Sequence, residues 1–210
     1  MSSLLLYIKA SPQAGRSYSV AVADAFIESY RQNHPDDEIK TIDIFQQELP
    51  AFDLPAVTAK YKVIHTQEHT KQDRRIWAQI VSIIEEFKSA DKYVMAVPMW
   101  NFSIPYRLKQ YIDIIVQPGY TFTVGKNGSY EGLIKDKPVF IAYARGGEYS
   151  TDAGKTFDMQ TRYLELILGF MGLSDIRSVI VEPTLAGGAD VAKQRQVEAI
   201  ERAKQIARDF

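Results

Sequence analysis

Five times along the chain an apolar run suited to a strand is followed by a segment of helical period, and this alternation constrains the fold more than any other feature. Leu4 to Ile8, Tyr93 to Val97 and Val139 to Ala144 are almost continuously apolar. A strand wetted on one face would alternate; continuous runs call for cover on both faces, as in a parallel sheet between two helix layers. Glu38 to Ile44 does alternate, with Ile39, Ile42 and Ile44 as its apolar positions, and Ile176 to Val181 completes the set. Between them Val20, Ala23, Phe26, Ile27 and Tyr30 recur at spacings of three and four across 17–33, as do Ile76, Ile80, Ile83, Ile84 and Phe87 across 76–87. Further helices are expected over 105–116, 156–170 and 190–208, and 46–55 reads as a loop. The expectation is an α/β fold: one domain over residues 1–210, a doubly wound five-stranded parallel sheet in the order 2-1-3-4-5. The stretch 118–132, with the turn signal Asn127-Gly128, would be a short surface excursion.

Composition narrows the function classes. The 210 residues hold 25 Lys and Arg against 26 Asp and Glu, so no basic surface announces a nucleic-acid partner. There is no cysteine, which excludes disulfides, thiolate zinc sites and cysteine nucleophiles. The first residues, Met1-Ser2-Ser3, carry no basic leader region, and no apolar stretch approaches the roughly 20 residues that cross a membrane. A soluble, cytoplasmic protein without a membrane or nucleic-acid partner is expected.

Three loops after strands carry the residues for a ligand. Pro98 to Tyr106 reads Pro-Met-Trp-Asn-Phe-Ser-Ile-Pro-Tyr: an amide between two aromatics suits a flat heteroaromatic ring, its edge hydrogen-bonded and its faces covered. Ser11 to Ser19 places three hydroxyls at the start of a helix, where unpaired amides favour a phosphate; plain helix capping by Ser17 or Ser19 needs no ligand at all. The same loop approximates a nucleotide-binding P-loop, but Arg16 stands where lysine is required, and no acidic residue follows Val97 to hold magnesium. Gly146-Gly147 lets the backbone approach a ligand closely, or makes an ordinary turn. In the expected strand order these loops follow neighbouring strands around the switch point where such sheets bind ligands.

His65-Thr66-Gln67-Glu68-His69 matches an inverted zinc-protease motif whose histidines would share one helix face, but its strongly polar setting reads as a solvated helix. Gly169-Phe170-Met171-Gly172 reads as a helix C-cap with a buried Phe. Tyr120, Phe122 and Tyr130 suit local packing, a wall for a flat substrate, or an anchor for a second subunit.

With these residues placed, the chain resembles, over its whole length, the FMN-dependent NADH azoreductases and quinone oxidoreductases, which have a flavodoxin-like fold. The resemblance rests on the hydroxyl-rich first loop, Met99-Trp100-Asn101-Phe102, Thr121-Phe122 with Asn127-Gly128 and Glu131-Gly132-Leu133, Arg145-Gly146-Gly147, and Leu168 to Gly172. It implies FMN held without a covalent link, NADH or NADPH as co-substrate, no metal, and a homodimer with active sites at the interface. It assigns FMN contacts to Ser11, Ser17, Tyr18 and Ser19, to Met99, Trp100, Asn101 and Phe102, and to Ala144, Arg145, Gly146 and Gly147. Asn101 would position the reactive side of the ring, and Phe122 and Phe170 would wall the substrate site. The family commonly has Tyr at Trp100 and Ser at Ala144. The implied reaction is ping-pong two-electron transfer from NADH to quinones, with reductive cleavage of aromatic azo compounds to amines. The alternative is a flavodoxin-like carrier passing single electrons to a protein partner, against which the net charge of −1 speaks, since such carriers dock through a markedly acidic surface.

Overall fold

A computed structural model describes residues 2–210; Met1, part of the start read above, lies outside them. The chain order is β1 (Leu4–Lys9), α1 (Tyr18–Asn33), β2 (Glu38–Asp43), α2 (Leu54–Ile64), α3 (Lys71–Ser89), β3 (Lys92–Pro98), α4 (Tyr106–Ile115), β4 (Phe122–Val124), β5 (Tyr130–Gly132), β6 (Val139–Ala144), α5 (Met159–Met171), β7 (Ile176–Val181) and α6 (Gly188–Arg208). Five strands form one sheet in the order β2-β1-β3-β6-β7, every neighbouring pair parallel. This is the 2-1-3-4-5 order expected from the sequence. β4 and β5 form a separate antiparallel hairpin.

Alternate residues of the central strands serve two cores. Leu6, Ile8, Tyr93, Met95, Val97, Ile141 and Tyr143 face one hydrophobic cluster, shared with α3, α4 and α5. Leu5, Tyr7, Val94, Ala96, Phe140 and Ala142 face the other, shared with α1 and α6. Strand period two with both faces sealed is why these strands are apolar throughout. On α6 the inward positions are Ala192, Ala199, Ala203 and Ala207, whose small side chains let the helix pack closely.

Three boundaries differ from the sequence expectation. α2 begins inside the segment read as a loop, because Asp53 caps it by accepting from the Ala56 amide and Pro55 fits its first turn. The single helix expected over 156–170 is broken: Gly154–Phe157 is a 3-10 turn, and Asp158 starts α5 by accepting from the amides of Gln160 and Thr161. Pro105 occupies the cap position of α4 rather than its first turn.

The segment 65–70 is not a helix. His65 closes α2, Thr66 has φ +51°, and α3 restarts at a capping box in which Thr70 and Asp73 exchange hydrogen bonds. The Asp73 carboxyl is lowered from 3.8 to about 2 by the Thr70 amide and by Lys62, 2.9 Å away. A carboxyl depressed on folding adds stability that is complete above its ordinary value and is lost as pH falls through the folded one. Urea unfolding between pH 4 and 2 will therefore show a fall in stability that Asp73→Asn flattens, the variant starting from a lower value at pH 6.

Candidate active site

The loops after β1, β3 and β6 meet at the carboxyl edge of the sheet. In the first, Ser17 stands at the cap of α1 with its Oγ 3.4 Å from the Val20 amide and 3.1 Å from Ser19 Oγ. A cap at that distance is weak. Ser11, Ser17 and Ser19 are buried. Two hydroxyls thus lie together beside helix amides that have no partner within the helix, an arrangement that accepts an anion. The capping reading of this loop is borne out.

In the second loop Met99 donates its amide to the Ala144 carbonyl at 2.8 Å, and Trp100 and Ser103 exchange two backbone hydrogen bonds of 2.9 Å. Between them Asn101 has φ +46° and Phe102 φ +70°. Asn tolerates the left-handed region; Phe does so only where its surroundings impose it. Here they do: the Met159 amide at the head of α5 donates to the Phe102 carbonyl at 3.0 Å, and the Phe102 ring rests against Phe157 and Tyr149. Both residues of the turn are exposed. The Trp100 ring lies back against Phe45 and Tyr106, centroids 5.8 and 6.1 Å away.

The third loop presents bare backbone. A Cβ on Gly146 would stand 3.0 Å from Leu185, and one on Gly147 3.2 Å from the Tyr149 ring. Arg145 contributes no side chain to this surface. It is 1% exposed and turned inward, with Nη2 2.9 Å from Asp158, Nη1 3.3 Å from Glu182 and Nε donating to Gln160 Oε1 at 2.9 Å. Glu182 also accepts from the amides of Tyr149 and Ser150, so it fixes the loop beyond the glycines. Burial alone would raise the Asp158 carboxyl; bonds from the Thr161 hydroxyl and amide and from Arg145 outweigh it and hold the group below its ordinary value. Two carboxylates and one guanidinium leave this buried cluster with one excess negative charge.

A cavity of about 820 Å³ opens beside the second loop, lined by Trp100, Asn101, Phe52, Tyr106, Lys109 and Tyr163 among others. Phe122 and Phe170 are elsewhere. Their rings meet at a tilt, centroids 4.6 Å apart, with Tyr130 against Phe170, on the hairpin and the far end of α5. α5 starts at the Phe102 carbonyl, so Phe170 lies about 16 Å further along it at 1.5 Å per residue. One chain therefore brings together Ser11, Ser17 to Ser19, Met99 to Phe102 and Ala144 to Gly147, and holds Phe122 and Phe170 apart from them. Phe170 is half-buried in that aromatic trio, while Gly172 ends the helix at φ +103°, as a C-cap glycine does.

The residues that sequence reasoning missed are Asp158, Gln160 and Glu182. Asp158 carries a local signal, a capping Asp three residues before Thr161, but nothing local points to Arg145 as its partner. The histidine motif brings no ligands together: the His69 ring bonds the Gln67 carbonyl, and among the described residues no three His, Cys, Asp or Glu side chains could share a metal. No helix among the described residues is long and apolar enough to cross a membrane.

Residues 3–207 match the family described as having the flavodoxin-like fold. The chain is 50% identical over 207 residues to the FMN-dependent NADH:quinone oxidoreductase of Nitratidesulfovibrio vulgaris strain DP4, covering 98% of this chain and 99% of that one. Its structure is similar to that of an azoreductase from Bacillus anthracis strain Sterne, with a TM-score of 0.92 at 30% identity and full coverage of both chains. It is also similar to an FMN-dependent NADH-azoreductase from Bacillus anthracis strain Ames Ancestor in complex with FMN, with a TM-score of 0.84 at 29% identity, covering 99% of this chain and 100% of that one.

Removing one partner of a buried ion cluster leaves the others uncompensated, at a cost of about 3–5 kcal/mol. Arg145→Met is expected to lower the unfolding free energy by that amount, read from urea denaturation of the protein without added ligand.

Proposed function

We propose that this chain, which belongs to the flavodoxin-like fold family, is an FMN-dependent NADH:quinone oxidoreductase that also reduces aromatic azo compounds. The observation that carries the reading is the meeting of an anion cradle, an amide on a strained turn and a bare glycine pair along one edge of the sheet. Each suits a different part of FMN. The Ser17 and Ser19 hydroxyls and the first amides of α1 would take the phosphate, with Ser11 and Tyr18 beside them. Met99, Trp100 and Phe102 would flank the ring, and Asn101 would hydrogen-bond its reactive side. The Gly146 and Gly147 amides would meet the pyrimidine end, aimed where negative charge collects on reduction. A side chain on Gly146 or Gly147 would press on Leu185 or on the Tyr149 ring and cover these amides, so the bare backbone keeps them open to a ligand.

FMN, when bound, supplies the two-electron hydride chemistry by which NADH is oxidised and a quinone or azo compound reduced; the protein positions it and tunes it. The cavity beside Asn101, walled by Trp100, Phe52 and Tyr106, has the size of a small-ligand site and admits a flat aromatic acceptor. Its Lys109 is paired with Asp113 at 2.6 Å and its other charged lining residue, Asp53, is the carboxylate that caps α2, so the lining offers an acceptor apolar cover and no free positive charge. This favours neutral quinones as acceptors. A reaction drawing on NADH also suits the cytoplasm, where we place the enzyme.

We further propose that the working form is a homodimer. Met159, Tyr163, Leu166 and Phe170 make a stripe along the outer side of α5, with Met159 47% and Leu166 73% exposed. Tyr130 of the hairpin, 65% exposed, extends it. Apolar surface so continuous marks a contact site. Because Phe122 and Phe170 sit about a helix length from Asn101 in their own chain, a second copy is the route by which they reach a cavity beside Asn101.

The purified protein with FMN is expected to be yellow and to bleach on anaerobic addition of NADH, colour returning when a quinone is added. A protein that takes up no FMN would overturn the assignment. Leu166→Glu is expected to convert the dimer to a monomer in light scattering, with FMN retained and quinone reduction reduced at least about tenfold, as for loss of a central interface anchor. A dimer that survives this change would remove α5 from the interface.

A further inference from the structure

The two loops proposed to flank the flavin ring share one support. β3 ends at Val97 and Pro98, directly before the turn that carries Asn101. Gln160 Nε2 donates to the Val97 carbonyl at 3.0 Å, while Gln160 Oε1 accepts from Arg145 Nε at 2.9 Å. Gln160 is fully buried, and its own amide donates to Asp158, the cap of α5. Arg145 directly precedes the glycine pair, and its carbonyl accepts from the Thr184 amide and hydroxyl at 2.9 and 3.0 Å. One carboxamide therefore bridges the root of the Asn101 turn and the root of the Gly146-Gly147 loop, using its donor toward one and its acceptor toward the other.

The remaining anchors of the Asn101 turn lead to the same unit. Met99 bonds Ala144, next to Arg145, and Phe102 accepts from Met159, next to Gln160. The turn holds two consecutive left-handed residues, a conformation that persists only when its surroundings over-determine it. A buried amide satisfied at both ends has one orientation, and a half-satisfied one costs more than an apolar replacement. Gln160 is therefore suited to set the separation of the two loops, whereas capping of α5 belongs to Asp158.

We propose that Gln160 is a positioning residue of the flavin site: it couples the buried Arg145 cluster to the strand end beneath Asn101 and fixes the spacing of the two loops that clasp the ring. It touches neither ring nor substrate. The inference rests on the proposed FMN site and deepens it.

The test compares Gln160→Leu, which matches the side chain in size and removes both bonds, with Gln160→Glu, which keeps the acceptor for Arg145 and loses the donor for Val97. Three quantities are read on each protein: melting temperature without FMN, FMN dissociation constant by fluorescence quenching, and the absorption spectrum and midpoint potential of the bound flavin. Gln160→Glu is expected to bind FMN about tenfold more weakly, the effect of one ordering hydrogen bond, and Gln160→Leu, which loses both, at least as weakly. Both should also shift the midpoint potential and the spectrum, with KM for NADH unchanged and kcat lowered. Unchanged potential and spectrum in a folded variant, or weaker FMN binding in step with the loss of melting temperature alone, would overturn the proposal. Should Gln160→Leu fail to fold, Gln160→Met, which also removes both bonds and adds no charge, decides by the same criteria. Wild-type protein that takes up no FMN would instead overturn the functional reading itself.

Discussion

Sealing a parallel sheet on both faces decides where this molecule can do chemistry. Every central strand sends alternate side chains into two separate cores, so neither face has room for a polar group in search of a ligand. Along the inner strands most backbone amides and carbonyls are spent on the neighbouring strands. What remains is the edge at which strands end and helices begin. There α1 offers uncommitted amides, and the turns after β3 and β6 offer backbone in conformations that helices and strands do not allow.

An edge made of loops needs something to hold it still, and the means used here is a buried ion cluster rather than apolar packing. Arg145, Asp158 and Glu182 lie within a few ångströms of one another, almost without solvent. Such a cluster is a weak source of net stability, because removing three charges from water costs about what their attraction returns. Its merit is directional. A guanidinium bonds only along its plane, so each partner has one place to be. The ends of β6 and β7 and the head of α5 are thereby referred to one side chain, and Gln160 extends the reference to β3.

The sequence made the sheet legible because period and continuity are local properties. Tyr93 to Val97 could be assigned to a two-faced strand without knowing what covered it. The three loops proposed to hold FMN stood out for a related reason: Asn101, the glycine pair and the clustered serines are residue types chosen for conformation or hydrogen bonding, and they differ from packing residues. Arg145 was harder. Its place in a ligand loop invited a role at the surface, and its inward turn depends on Asp158 and Glu182, thirteen and thirty-seven residues away. Asp158 itself fell inside the helix expected over 156–170; it breaks that helix by capping the Gln160 and Thr161 amides, and its pairing with Arg145 fixes it there. Phe122 and Phe170 were grouped with the site by resemblance, and within a single chain the length of α5 separates them from it.

Where the hairpin meets α5, the two backbones nearly touch. A Cβ on Gly132 would fall 2.3 Å from the Gly172 nitrogen, and one on Gly172 would fall 2.7 Å from the Ile134 carbonyl. Two glycines thus weld a two-stranded ribbon, marginal on its own, to the end of a rigid helix. The aromatic blade of Phe122, Tyr130 and Phe170 has little conformational freedom left to lose. Whatever surface it is pressed against meets a part already set in shape, and association is spared the entropy of ordering a loose loop.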